Sequence, residues 1–113
     1  MNVIKIEPGC TPQLASVEEI SVRALSEALG EALGGGIEVW NMDPCGRFMA
    51  VCRANGAEQG LPVNCRIPYL GCVLYGTVCV LRRDYNQLGA GVQESDLSRI
   101  EGLYQPLKEE MSA

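Results

Sequence analysis

The groups of this chain best suited to chemistry are its thiols and its guanidiniums: six cysteines, at 10, 45, 52, 65, 72 and 79, and seven arginines, with no histidine among 113 residues. A thiolate can attack an electrophile or ligate a metal, and a guanidinium can grip a phosphate through parallel N–H groups. The missing imidazole constrains both, because it is the commonest general base near neutral pH and a leading zinc ligand. Structural zinc needs four ligands, usually delivered as close pairs from turns. The cysteines are spaced 35, 7, 13, 7 and 7 residues apart, so no C-x-x-C pair exists. No metal and no cofactor is expected. Cys52, Cys72 and Cys79 fall in apolar, strand-like stretches where a reduced cysteine acts as a small hydrophobe. Cys45, in a turn, and Cys65, beside Arg66, are the thiols expected at the surface, with Arg66 placed to lower the Cys65 pKa. Even so, nucleophilic catalysis at Cys65 would lack its base, and an enzyme is not expected.

Five of the arginines, at 47, 53, 66, 82 and 83, lie in the middle of the chain. Arg47, Arg53, Arg66 and Arg82 are candidates for an anion pocket, with Trp40, Tyr69 or Tyr75 to stack the base of a small nucleotide. The competing reading makes them solvated strand residues that offset the glutamates. Gly60 to Arg66 is a second candidate site, a loop in which Asn64 and Arg66 offer hydrogen-bond donors. Its alternative is a crossing loop whose asparagine ties down its own backbone. Gly34-Gly35-Gly36 follows a helix rather than preceding one, so it stops the helix and cradles no phosphate. Glu18-Glu19 and Glu109-Glu110 read as solvated acids.

The elements that must position these residues follow from periodicity. Val3 to Glu7 alternates apolar and polar and predicts a strand ended by Pro8-Gly9. Gln13 to Ile20 offers a returning strand, against a rival helix starting at Ser16 in capping-box form. The stripe Val22, Leu25, Ala28, Leu29, Ala32 and Leu33 favours the later start, a helix over about 21–33 capped by Ser21. Ile37 to Met42 and Arg47 to Arg53 form a hairpin about a type I turn at Asp43-Pro44-Cys45-Gly46. In its second strand Phe48, Ala50 and Cys52 share one face, and Met49 and Val51 the other. Asn55-Gly56 is a further hairpin-turn signal. Gly60 to Pro68 reads as loop, and Val73 to Arg82 as one strand buried on both faces. Turn formers fill 84–93. Ser95 then caps a helix with Leu97, Ile100, Leu103 and Tyr104 on its inner side, ending near Pro106 before a frayed tail. The expected class is α+β: one domain over 1–113, with a mainly antiparallel sheet of four to five strands and two helices packed on one face.

Composition narrows the partners. Apolar residues at 47% and charged residues at 20% describe a globular chain. A net charge of −5 disfavours nucleic-acid backbones. No stretch reaches the length needed to span a bilayer, and Met1 to Pro8 lacks signal-peptide form, so no membrane and a cytoplasmic location are expected, with the thiols reduced.

Val3-Ile4-Lys5-Ile6-Glu7-Pro8-Gly9, the Gly35-Gly36-Ile37-Glu38 that follows the helix, Asn55-Gly56, Gly60-Leu61-Pro62-Val63-Asn64-Cys65-Arg66 and Tyr75-Gly76-Thr77 together resemble a family of small proteins of unknown function. That family occurs mainly in bacteriophages and bacterial mobile elements. The resemblance covers most of the chain, which departs from the family pattern in its many cysteines and in Asp43-Pro44-Cys45. It implies an accessory protein acting inside the infected cell, in the host cytosol, of a kind that often inhibits host defences, as anti-CRISPR proteins do. The expected function is therefore non-enzymatic binding, with a host protein such as a defence effector as the partner. The alternative is a sponge for a small nucleotide signal held by the arginines; a thiol enzyme and a structural component rank below both. Edge strands and the apolar excess point to a homodimer.

Overall fold

The alternation of Val3-Ile4-Lys5-Ile6 becomes strand β1 (Asn2–Ile6), which turns at Gly9 and pairs antiparallel with β2 (Gln13–Ser16). The structure is a computed structural model and describes residues 1–30, 36–84 and 88–108. The rival helix at Ser16 does not form. Helix α1 (Val22–Ala28) starts later, and the Ser21 hydroxyl accepts the Ala24 N–H at 3.1 Å. Leu25 and Leu29 are buried, whereas Val22 is exposed. Ala32, Leu33, Gly34 and Gly35 lie outside the described residues, as do Glu109 and Glu110.

Strands β3 (Ile37–Asn41) and β4 (Phe48–Arg53) form the expected hairpin. Its turn closes through Gly46 N–H to Asp43 O at 3.1 Å, and the Asp43 carboxylate accepts the Arg47 N–H at 2.8 Å. The two faces of β4 divide as the alternation dictates. Phe48, Ala50 and Cys52 enter one buried cluster, and Met49 and Val51 enter another.

Beyond β4 the chain departs from the sequence reading. Asn55 takes φ +58, as an Asn-Gly turn allows, but β4 pairs with no strand that follows immediately. Gly60 to Pro68 is no loop: its centre is strand β5 (Val63–Ile67), and the prolines at 62 and 68 flank a strand they do not interrupt. The apolar run from Val73 to Arg82 is two strands, β6 (Cys72–Tyr75) and β7 (Val78–Arg82). The break is at Gly76, whose φ of +76 disfavours any side chain and whose N–H donates to Pro62 O at 2.7 Å. Helix α2 (Asp96–Arg99) is shorter than expected, and Ser95 makes no side-chain cap. Gln105–Pro106 forms strand β8, and Leu107 N–H donates to Asn64 O at 3.0 Å; the rest of the tail, 109–113, lies outside the described residues.

These strands build two antiparallel sheets, one of five in the order β2-β1-β7-β4-β3 and one of three in the order β6-β5-β8. Ile4, Ile6, Phe48, Ala50, Val78 and Val80 cover one face of the larger sheet and pack against Cys65, Ile67 and Leu74 of the smaller one, with Ile100 just past α2. Val3, Met49, Val51, Cys79 and Leu81 on the opposite face pack against Leu25 and Leu29 of α1. The α+β class fits, but the helices belong to opposite faces of the larger sheet. One face receives α1; the other receives a second sheet that the continuous apolar run concealed. No helix among the described residues is long and apolar enough to cross a membrane.

Candidate functional site

Strand register brings arginines together at one end of the larger sheet. Phe48 pairs with Arg82 across β4 and β7, and just beyond that pair Arg83 N–H donates to Arg47 O at 3.0 Å. Arg47 at the entry to β4 and Arg82-Arg83 at the exit from β7 therefore become neighbours. Helix α2 supplies Arg99, one turn after Asp96. Cys45, Gly46 and these four arginines line an open recess of about 360 Å³.

Two of the four guanidiniums are held by hydrogen bonds, and a third lies near a carboxylate. Arg82 Nε and Nη2 each donate to the fully buried Asp96 carboxylate at 2.9 Å, and the Gln93 N–H donates to the same group at 2.9 Å. Arg99 Nη1 lies 3.9 Å from Asp96 Oδ1. The hydrogen bonds from Arg82 are the main cause holding the Asp96 carboxyl below its ordinary range, and Asp96 in turn pushes the Arg82 pKa up. Arg83 Nε donates to Gly46 O at 2.9 Å, and its Nη2 donates to Asn41 Oδ1. Gly46 is needed here: its φ is +66, and a Cβ would stand 3.0 Å from Arg83 Nε. The Arg47 side chain is exposed and, among the described residues, makes no side-chain hydrogen bond or ion pair.

The other expected site residues lie elsewhere. Arg53 sits at the far end of β4 from Arg47, about 20 Å along six residues of extended chain. It is buried, and its guanidinium donates to Ser26 Oγ and Ser26 O, both at 2.7 Å, and to Gly30 O. It thus caps the C-terminal end of α1, where carbonyls lack partners and a cation is favoured. Asn64 is buried, and its amide donates to Ile6 O at 2.8 Å and Gly76 O at 2.7 Å. Both amide hydrogens are committed to backbone, so Asn64 ties β5 to the end of β1 and to the bend between β6 and β7.

Arg66 is exposed on β5, and Tyr69 is exposed in the turn joining β5 to β6, beside exposed Pro68 and Leu70. Trp40 and Tyr75 line a different recess, of about 190 Å³, together with Glu38, Glu58 and Cys52. The aromatics offered for base stacking are therefore not in the wall of the arginine recess. The sequence reading left Arg83 and Arg99 out of the pocket and did not name Leu70. The adjacent arginines at the end of a strand, and the Asp96 and Arg99 spacing of one helical turn, were the available signals.

Thiol placement divides by strand direction. Cys10 and Cys45 are exposed, and Cys72 is half-buried. Cys65 is buried, contrary to expectation, because β5 turns it inward while its neighbour Arg66 turns outward. Burial pushes the Cys65 thiol up to about 12, against any lowering by Arg66. Burial likewise pushes Cys52 and Cys79 up to about 11. Among the described residues, no group of three or more metal-binding side chains is placed to hold an ion.

The chain belongs to the family described as Domain of unknown function (DUF3846), whose model matches residues 1–105. No curated protein and no solved structure matches it.

Proposed function

We propose that this chain works by binding rather than catalysis, as an accessory protein of phage or mobile-element type that engages a host protein inside the cell and inhibits a defence system. The observation that supports this reading best is the tip of the β5–β6 hairpin. Tyr69 is 52% exposed and Leu70 43% exposed, side by side after Pro68. Exposing an aromatic and an aliphatic side chain together is costly unless a partner covers them, and tyrosine and arginine are enriched where binding energy concentrates. Arg66, exposed on the strand leading into that tip, supplies a charged neighbour. The raised pKa of Cys65 argues in the same direction, since it removes the thiol that an enzyme reading would have used. Edge strands β2 and β3 offer unpaired backbone to a second copy, in keeping with a homodimer.

The test is capture from host lysate by the tagged chain and by a Tyr69→Ser/Leu70→Ser variant of unchanged melting temperature. A partner held through the tip loses roughly thirtyfold or more in affinity when two such anchors go. Equal capture by both proteins would overturn the assignment of the tip. A second reading, capture of a small nucleotide, is favoured by one observation only, the arginine recess.

A further inference from the structure

Four of the seven arginines wall a single open recess in a chain of net charge −5, and no acidic side chain lines that recess among the described residues. Gathering like charges costs energy, and the fold does it with care. A buried carboxylate fixes Arg82 and attracts Arg99; a backbone carbonyl and an asparagine fix Arg83. Arg82 spends Nε and Nη2 on Asp96, which leaves Nη1 outside those bonds. Arg47, exposed and without a side-chain partner among the described residues, can swing across the opening.

From this geometry we infer that the recess binds an oligophosphate group, meaning two or more linked phosphoryl groups as in pyrophosphate, tripolyphosphate or the phosphate chain of a nucleotide. A single carboxylate has two oxygens and satisfies one guanidinium fork. Four guanidiniums around one opening match the larger charge and the many oxygens of linked phosphates. Because Arg82 and Arg83 are already fixed, their side chains lose little entropy on binding. Among the described residues the wall contains no aromatic, and Trp40 and Tyr75 line another recess, so the contacts offered there are to phosphate and not to a base. This inference deepens the nucleotide-capture reading and is independent of docking at the hairpin tip, so either can fail alone.

Isothermal titration of the full chain with tripolyphosphate, ATP and adenosine tests it. Tripolyphosphate and ATP should bind with affinities within about threefold of each other, and adenosine should not bind, because the phosphates carry the contacts. Arg47→Ala and Arg99→Ala should each weaken tripolyphosphate binding roughly tenfold, the loss of one charge-assisted contact. Arg23→Ala, on the exposed face of α1, should leave it unchanged. Circular dichroism melts of each variant confirm the fold. Three results would overturn the inference: an equal loss in Arg23→Ala, which would mean diffuse charge; ATP binding without tripolyphosphate binding, which would mean recognition of the base; or an oligonucleotide that binds tighter than tripolyphosphate, which would mean a nucleic-acid surface.

Discussion

Replacing Asn64 by alanine tests the joint between the two sheets. The amide donates to Ile6 O at 2.8 Å and to Gly76 O at 2.7 Å, and both of those residues are buried. Truncation removes both donors and leaves two carbonyls that water reaches poorly. Each abandoned buried group costs about 1–3 kcal/mol, and a carbonyl with a second lone pair falls toward the lower end. The sum is about 2–4 kcal/mol. At roughly 4 °C per kcal/mol for a chain of this size, the melting temperature should fall by about 8–16 °C. Asn64→Asp should be worse at neutral pH, because it sets a carboxylate against two carbonyl oxygens, and it should recover in part in acid, where the protonated group can donate one hydrogen bond. The assay is thermal unfolding followed by circular dichroism, with urea unfolding to check that the slope is unchanged. A melting temperature for Asn64→Ala within about 2 °C of the parent would refute the reasoning. It would also return Asn64 to the list of donors available to a ligand.

Three further outcomes follow from the same structure. Cys10 and Cys45 should react with a disulfide reagent in the native protein while Cys65 waits for unfolding, since a rise from 9.0 to about 12 lowers its thiolate share about a thousandfold; native labelling of Cys65 at the rate of the exposed thiols, read by peptide mass, contradicts its placement. Because the folded pKa of Asp96 lies below its ordinary 3.8, its ion pair with Arg82 contributes fully above that value and is lost as pH falls through the folded pKa. The stability gap between parent and Asp96→Asn, measured by urea unfolding, should accordingly stay level from pH 7 to about 5 and close in stronger acid. Gly76→Ala should cost about 1–2 kcal/mol in urea unfolding, since φ is +76 there and the new Cβ would stand 2.9 Å from Leu61 Cδ1; an unchanged midpoint would place the bend elsewhere.

The parts legible in the sequence were those with local causes. The β3–β4 turn follows from Asp43-Pro44-Cys45-Gly46 alone, and the two faces of β4 follow from strict alternation. Ser21 was readable as a cap because its partner, the Ala24 N–H, is three residues away. The second sheet was not legible, and the reason is physical. β6 and β7 both carry apolar residues to the shared core, so the run from Val73 to Arg82 shows no change of period where the chain passes from one sheet to the other. Only the glycine at 76 marks the passage. Pro62 and Pro68 concealed β5 in a similar way, because prolines at the ends of a strand look like prolines in a loop.

The arginine site shows a different limit. Counting cations near 47–83 found Arg47 and Arg82, but convergence depends on register, which the count cannot contain. The pairing of Phe48 with Arg82 carries Arg47 toward Arg83, and the length of β4 carries Arg53 away from both. Net charge misleads for a related reason. An acidic total disfavours phosphate only if the charges act together, yet exposed charges farther apart than about 8–10 Å are largely screened at physiological salt. The acids of Glu18, Glu19 and Glu27 line a recess between β2 and α1, whereas the wall formed by Arg47, Arg82, Arg83 and Arg99 holds none among the described residues. An anion arriving at that wall meets the local potential, not the sum over the chain. Its attraction should therefore weaken as salt is raised, while the bidentate Arg82–Asp96 pair, with its carboxylate withdrawn from solvent, keeps the recess assembled.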